Sequence, residues 1–286
     1  MREESPADPP TAFVPGHVTG FFSPCPDDDP ERAGSRGAGV TLTDGVRVTV
    51  RAAESSADPT LTLDGDSLSM PPVETVLEGL GVADRARVVA ESDLPLGTGF
   101  GVSGAMALGT ALAANARFDC ERSANDLVTL AHRAEVEAGT GLGDVVAQAR
   151  GGVPIRLAPG APGHGRLDGV ATTRRIEYIS FGDLSTADVL AGDTAPLVEA
   201  GDAALDSLRE RPTLSELVAA SRQFSRRVGL RTDRVHETVE AVTAAGGEAS
   251  MVMLGETVFA LDRGLSDAGY DASACRTCAA GAHLAD

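Results

Sequence analysis

The residues with the clearest chemical potential are three glycines, Gly97, Gly99 and Gly101, which stand just before a predicted helix that begins near Ser103. Glycine allows left-handed backbone angles and lets a ligand approach the main chain closely. A helix N-terminus adds free N–H groups and a partial positive charge. Together these features predict an anion site, and phosphate is the usual occupant of such a site.

Other interpretations of this stretch are weaker. A Walker loop needs a lysine, and the stretch has none. Gly99, Gly101 and Gly104 fit the dinucleotide-binding pattern, with Asp119 at the distance of its acidic residue, but no second parallel strand precedes that aspartate. The serine-hydrolase pattern fails because Ala105 stands where its last glycine is required. A tight turn with only a structural role stays open.

Two carboxylates follow the glycines along the chain, Glu135 in a predicted helix and Asp144 after a second glycine-rich turn. One carboxylate could offset the charge of bound phosphates through Mg²⁺, which takes oxygen ligands. Another carboxylate would accept a proton from an attacking hydroxyl, as phosphoryl transfer requires. Glu137 competes with Glu135 for the metal. The alternatives are a solvated helix face for Glu135 and a helix cap for Asp144.

The elements that must position these residues alternate between strand and helix, which indicates an α+β fold. Asp44-Gly45 lies between alternating apolar residues and predicts a hairpin, and Pro15-Gly16 predicts a turn. Ser123 is the predicted N-cap of the second helix. The predicted strands are 11–22, 38–53, 86–91, 153–157, 176–181, 251–254 and 259–261, and the predicted helices are 103–116, 123–137, 144–149, 214–228 and 232–245.

The string at 95–105 resembles the central motif of the GHMP kinases, Pro-x-Gly-x-Gly-Leu-Gly-Ser-Ser-Ala-Ala. Phe100, Val102 and Gly104 depart from that motif. The resemblance implies a kinase that uses ATP and Mg²⁺, with Ser103 as a metal ligand. It implies phosphate binding by Pro95, Gly97, Gly99, Gly101, Val102, Ser103 and Gly104.

Three other segments extend the resemblance. Pro15-Gly16-His17 is similar to the family's Pro-Gly-Lys motif, with His17 in place of the lysine. The run 135–144 resembles the segment that carries a Mg²⁺-binding glutamate and a catalytic aspartate, and 244–255 resembles a glycine-rich motif near the phosphates. The resemblance therefore implies these roles: catalytic, Asp144 and His17; metal, Ser103 and Glu135; substrate, His17 and Thr19.

Within the family, the strings 13–22, 34–39, 139–148 and 249–255 most resemble members that phosphorylate pantoate. That resemblance implies a substrate with a carboxylate, for which Arg36 is the candidate cation. Kinases of mevalonate, phosphomevalonate or homoserine, a non-catalytic nucleotide-binding member and a dinucleotide-dependent oxidoreductase stay open.

The same resemblance implies a two-domain GHMP kinase fold. A flexible segment at 1–11 is expected first. An ATP-binding domain with the glycine-rich phosphate loop is expected at 12–157, and a C-terminal α/β sandwich-like domain at 158–286. A homodimer is the family-level expectation for the assembly.

Composition limits the other functional classes. The 286 residues carry a net charge of −18 and contain no lysine, a pattern similar to proteins of salt-loving archaea, although a GC-rich genome also favours arginine. This charge argues against a nucleic-acid partner. No apolar run predicts a membrane span or a signal peptide, so the cytoplasm is expected. Cys275-x-x-Cys278 lacks the second pair that a zinc site needs.

Overall fold

The computed structural model describes residues 8–53, 60–183 and 192–285. Two sheets with helices packed against them confirm the predicted α+β class. The predicted flexible segment 1–11 lies mostly outside the described residues, and the first strand begins at Thr11.

The first sheet has eight strands in the order β12-β1-β2-β5-β3-β4, and β6 and β7 extend it beside β2. Its pairs are antiparallel except β3 with β5, which is parallel. Alternating valines in the second strand bury one face, as a half-covered sheet requires. The strands are β1 Thr11–Cys25, β2 Gly34–Ala52, β3 Leu61–Leu63, β4 Asp66–Ser67, β5 Ala86–Ser92, β6 Val153–Ala158, β7 Arg166–Val170 and β12 His283–Ala285.

The predicted hairpin at Asp44-Gly45 is wrong, because β2 runs through this point as one strand. Its register against β1 shifts here instead, since Pro15 pairs with Gly45 but His17 pairs with Thr41. The turn predicted at Pro15-Gly16 is also absent, because β1 continues through these residues as one strand. Pairing of β2 with β1 on one side and β5 on the other outweighs the local turn preference, and the mismatch is absorbed as a bulge.

The helices of this half are α1 Pro71–Gly79, α2 Val102–Phe118, α3 Ala124–Ala138 and α4 Asp144–Arg150. Helices α2 and α4 pack on the first sheet, and α1 and α3 pack against the outer side of α2. The central helix α2 is rich in small residues and packs closely on the sheet. A Cβ on Gly109 would lie 2.5 Å from a methyl of Val48. Ser123 and Asp126 form the capping box that starts α3, which confirms the predicted N-cap. No helix in the described ranges is long and apolar enough to span a bilayer.

The second sheet has four antiparallel strands in the order β11-β8-β10-β9. The helix at Ala195–Glu210, which the sequence analysis did not predict, packs against β1 and β2 of the first sheet, whereas the other three helices pack against the second sheet. The helices at Leu214–Arg227 and Asp233–Ala244 lie within one residue of those predicted at 214–228 and 232–245. The elements are β8 Arg175–Asp183, β9 Ala249–Val252, β10 Gly255–Leu261, β11 Ser273–Arg276, α5 Ala195–Glu210, α6 Leu214–Arg227, α7 Asp233–Ala244 and α8 Gly264–Asp267.

The sheets divide the chain differently from the predicted division between residues 157 and 158. Strand β7 still belongs to the first sheet, so the change of sheet falls between Val170 and Arg175. The chain later returns to the first sheet, where β12 pairs with β1 through Thr11 and Ala285. All four cysteines, including Cys275 and Cys278, are free thiols.

The two halves meet beside the glycine-rich loop. The ring of Phe100 in the loop contacts the ring of Tyr178 on β8 edge-on, with 4.9 Å between ring centroids. The Tyr178 hydroxyl donates to the Asp44 carboxylate at 2.8 Å. In addition, the Met253 N–H donates to the Thr19 carbonyl oxygen at 2.9 Å. The second half therefore supports the loop directly.

Candidate active site

The glycine-rich loop joins β5 to α2. Gly97, Gly99 and Gly101 have φ of 83°, 92° and 66°, where a side chain would be strained. At Gly99, a Cβ would also lie 2.9 Å from the Met253 carbonyl oxygen. Gly101 is the N-cap of α2, and no side chain caps this helix. The first N–H groups of α2 therefore remain available for an anion.

A cavity of about 370 Å³ opens beside this loop. Its walls are the loop and the start of α2, the end of α3, the glycine turn before α4, the neighbouring parts of β1, β2 and β6, and the β9–β10 hairpin. Most of the loop contributes backbone atoms. The polar side chains that line the cavity are those of Thr19, Ser35, Ser103, Glu135, Thr140, Asp144 and Arg156.

Glu135 lies in the last turn of α3 and is only 3% exposed. The Ser103 hydroxyl donates to its Oε1 at 2.6 Å. Burial is the main cause that raises the pKa of Glu135 to about 7; the Ser103 hydrogen bond opposes the rise, and the charge of Asp144 adds to it. Glu137 instead lies at the surface, where it pairs with Arg133 at 3.4 Å. Of the two glutamates, only Glu135 lines the cavity.

Asp144 is the first residue of α4, directly after the glycine turn at 139–143. Its Oδ1 lies 2.7 Å from His17 Nδ1 and accepts a hydrogen bond from Thr19 Oγ1 at 3.3 Å. His17 is fully buried behind the aspartate and does not line the cavity. Its Nε2 has no hydrogen-bond partner within the described part of the chain. We therefore assign the imidazole proton to Nδ1, which donates to Asp144.

The charges of this pair follow from their surroundings. Burial lowers the pKa of His17 by more than the hydrogen bond and charge of Asp144 raise it, so the imidazole is neutral at neutral pH. Burial alone would raise the pKa of Asp144. The His17 interaction, the charge of Arg156 and the Thr19 hydrogen bond outweigh that effect and hold this pKa below its usual value. Asp144 is therefore an ionised carboxylate, and its side chain keeps 24% of its surface exposed.

Arg156, on β6, is a site residue that the sequence patterns did not identify. Its side chain is 2% exposed, and its Nη2 donates to Ser35 Oγ at 3.1 Å. Its Nη1 is buried and has no hydrogen-bond partner among the described residues. A Cβ on Gly143 would lie 2.7 Å from its Nε, so the glycine turn passes directly over the guanidinium. The sequence signal that could have indicated Arg156 is an arginine inside an apolar strand. Arginine is seldom fully buried without a partner, so such a position suggests a binding role.

Arg36, the cation predicted from the sequence, does not line this cavity. Its Nη2 donates to both carboxylate oxygens of Asp202 on α5, at 2.7 and 2.8 Å. The same aspartate accepts a hydrogen bond from Ser23 at 2.6 Å. The structure therefore places Arg36 in a contact between β2 and α5.

The remaining predicted residues divide between the cavity wall and its support. Gly97, Gly99, Gly101, Val102 and Gly104 line the cavity, whereas Pro95 does not. The Pro95 carbonyl oxygen instead accepts a hydrogen bond from Thr98 Oγ1 and so shapes the loop.

The C-terminal glycine motif at 244–255 is split by the structure. Gly246 and Gly247 line a separate small pocket with Arg263. Met253 and Leu254, in the hairpin that ends the motif, line the cavity itself. The hairpin is thus the part of this motif that lies near the glycine-rich loop.

The comparisons with known proteins agree with this arrangement. Residues 72–152 match the family model of the GHMP kinases N terminal domain. The pantoate kinase of Thermococcus kodakarensis is 35% identical over 265 residues, covering 88% of this chain and 87% of the relative. The pantoate kinase of Methanospirillum hungatei is 34% identical over 264 residues, with the same coverage. This chain belongs to the GHMP kinase family.

A solved structure is also similar to this GHMP kinase over nearly its whole length. It is described as a phosphotransferase related to the CoA biosynthesis pathway, with a TM-score of 0.86 and 29% identity, covering 96% of this chain and 98% of that one. The segment that matches the family model contains the glycine-rich loop, Glu135 and Asp144. Family membership confirms the predicted kinase fold and excludes the dinucleotide-binding interpretation of the loop.

Proposed function

We propose that this GHMP kinase transfers the γ-phosphoryl group of ATP to the terminal hydroxyl of pantoate, giving 4-phosphopantoate for coenzyme A synthesis. The observation that carries the proposal is the position of Asp144. It is an ionised carboxylate that shares one cavity with an uncapped helix N-terminus and a buried arginine. The pantoate kinases that match most of the chain support the choice of acceptor.

The loop side of the cavity suits the phosphates of ATP with Mg²⁺. The free N–H groups at the start of α2 would bind phosphate oxygens. Ser103 Oγ and the Glu135 carboxylate already touch, and they are oxygen donors of the type that Mg²⁺ takes alongside phosphates and waters. Burial raises the pKa of Glu135, and a bound cation would favour its ionised form. Bound Mg²⁺ would neutralise charge on the phosphates during transfer.

The opposite side of the cavity suits a small hydroxy acid. Arg156 supplies a guanidinium whose Nη1 is unpartnered within the described ranges, and its other nitrogens contact Ser35. Such a group binds a carboxylate through charge-assisted hydrogen bonds. Because Arg36 is already bound to Asp202, we propose Arg156 as the main cation for the pantoate carboxylate.

The chemical step then needs little more than positioning. His17 and Thr19 both bond Oδ1 of Asp144, which holds the carboxylate in one orientation and leaves Oδ2 for the acceptor. Asp144 accepts the proton of the terminal hydroxyl as the hydroxyl oxygen bonds to the γ-phosphorus. The bond from that phosphorus to the β–γ bridging oxygen breaks, and ADP leaves with its electron pair. His17 thus acts through Asp144 and does not touch the acceptor.

The deciding experiment measures ADP release from the purified protein with ATP, Mg²⁺ and pantoate in high KCl. Mevalonate, phosphomevalonate and homoserine serve as competing acceptors under the same conditions. We expect pantoate to give the highest kcat/KM and 4-phosphopantoate as the product. Preference for another acceptor by tenfold or more would overturn the assignment of substrate.

We further propose that the enzyme works in the cytoplasm, as a homodimer and at high ionic strength. The net charge of −18 without lysine supports the last point, because salt screens repulsion between exposed carboxylates. Activity and light-scattering mass should therefore both be measured between about 0.1 and about 1 M KCl, over which the Debye length falls from about 10 to about 3 Å. Loss of activity with rising KCl would contradict the salt proposal, and a monomeric mass would contradict the dimer.

A further inference from the structure

Gln148 connects the catalytic helix to the glycine-rich loop. It lies one helical turn after Asp144 on α4, so both side chains leave the same face of that helix. The side chain is fully buried, and its Nε2 donates to the Gly101 carbonyl oxygen at 2.9 Å. Its Oε1 has no hydrogen-bond partner within the described residues. A buried amide whose oxygen is unpaired costs stability, so packing alone does not explain its presence.

The hydrogen bond acts on a peptide unit at the edge of the cavity. The Gly101 carbonyl and the Val102 N–H belong to the same planar trans peptide, so they point in opposite directions. The Gly101 carbonyl oxygen also accepts from the Ala105 N–H at 2.9 Å, which is the first hydrogen bond of α2. With the carbonyl held on the protein side by two donors, the Val102 N–H is directed away from Gln148. Val102 lines the cavity, and under the proposed phosphate role of the loop this N–H would donate to a phosphate oxygen.

The loop needs such a fixed point because glycine makes this peptide easy to rotate. Gly101 has a φ of 66°, and a Cβ there would lie 3.1 Å from Gln148 Nε2 and 3.2 Å from Asp144 Cβ. The loop therefore touches α4 at the residue that must be oriented. The main chain of Gln148 is also held, because its backbone carbonyl oxygen accepts a hydrogen bond from the Ala282 N–H at 3.0 Å.

We propose that Gln148 is a positioning residue for the kinase reaction, which fixes the orientation of the phosphate-binding N–H of Val102 relative to Asp144. The inference rests on the proposed phosphate role of the loop but not on the identity of the acceptor. One side chain thereby sets the geometry between the bound phosphates and the base.

The test compares Gln148→Met, which keeps the volume but removes the donor, with the wild-type enzyme. We expect kcat to fall by about 10- to 100-fold, the effect of a small misplacement of reacting groups. The Kd of MgADP should rise by about tenfold, whereas the Kd of pantoate should stay within about twofold. Backbone hydrogen exchange should be faster in a peptide covering 97–106 and unchanged in one covering 124–138. Gln223→Met is the matched control, because Gln223 is exposed on α6.

Gln148→Asn provides the second variant, since it keeps the amide but shortens the side chain by one methylene. It should reproduce the losses of the methionine variant, because its nitrogen cannot reach the Gly101 carbonyl oxygen. Wild-type kcat and MgADP affinity in either variant would overturn the proposal. So would an equal loss of MgADP and pantoate affinity, which would indicate general destabilisation. If the wild type does not phosphorylate pantoate, the proposed acceptor fails, while MgADP binding and hydrogen exchange still decide the role of Gln148.

Discussion

The end of α3 and the start of α4 each present a carboxylate to the same cavity, and the protein surrounds the two carboxylates with opposite kinds of partner. Glu135 receives one hydroxyl hydrogen bond and no cation among the described residues, and its pKa rises to about 7. Asp144 accepts hydrogen bonds from His17 and Thr19 and lies near the positive charge of Arg156. These partners lower its pKa below the usual value. Burial is the largest influence on both, so the difference comes from the partners.

This contrast assigns a separate role to each group. A carboxylate that the protein keeps ionised can accept a proton at once, which suits a base. A carboxylate that the protein leaves without a positive partner is ready for one that arrives with the nucleotide. Carboxylates whose surroundings push their pKa values apart are a general sign of divided function in an active site.

Removal of the base should have the largest effect. Asp144→Asn keeps the shape and the His17 contact but cannot accept a proton. We expect kcat to fall by about 100- to 10,000-fold, the usual contribution of a general base. The Kd of MgATP should stay within about twofold, as measured by calorimetry. Wild-type turnover in this variant would remove Asp144 from the mechanism.

Glu135→Gln should stabilise the protein at high pH when metal and nucleotide are absent. The folded-state pKa is about 7 and the unfolded value is 4.5, so between these pH values only the folded state holds the proton. The stability of the wild type therefore falls as pH rises through this window and is constant above it. At pH 8 the variant should be more stable by about 3 kcal/mol, and near pH 4.5 the two should be equal. Urea unfolding with a chelator measures this, and a difference independent of pH would contradict it.

The two arginines should differ in their effect on the acceptor. Arg156→Gln should raise the KM for pantoate by about 10- to 100-fold, because a charge-assisted hydrogen bond to the carboxylate is lost. Arg36→Ala should change this KM much less, since its guanidinium is bound to Asp202. Steady-state kinetics with saturating ATP compare them. A larger effect at Arg36 would restore it as the principal cation.

Loss of His17 should have the smallest effect and should depend on pH. His17→Leu removes the hydrogen bond that lowers the pKa of Asp144, so this pKa should rise. The acid limb of the kcat/KM profile should move to higher pH by the same amount, with activity best retained at high pH. His17→Asn, which keeps a donor, should show a smaller shift. An unmoved acid limb in His17→Leu would show that the imidazole does not tune the base.

Local rules in the sequence predicted much of this site. The glycines, the following helix and the capping box of α3 depend on neighbours in the chain, and they occur where expected. The resemblance of the run 135–144 to a segment of the kinase family indicated Glu135 and Asp144, and both line the cavity.

The failures involve partners that are distant in the chain. Asp44-Gly45 has a strong local turn preference, but pairing on both sides of β2 prevents the hairpin. Arg36 was chosen for its glycine-rich surroundings, and nothing nearby in the sequence indicated Asp202. Arg156 and Gln148 were missed because each acquires its role from residues more than forty positions away. Spacing within one segment carries no information of that kind.

The pairing of β12 with β1 has a consequence for how the molecule can assemble. Thr11 and Ala285 are neighbours in one sheet, so this edge forms only after nearly the whole chain has been brought together. A fragment covering 12–157 would lack both β7 and β12 and would expose the backbone of β1 and β6 as open strand edges. Such edges bind other chains and promote aggregation. The half of the protein that carries the phosphate loop and the base therefore depends on β12, which follows the second sheet in the chain, to cover the edge of β1.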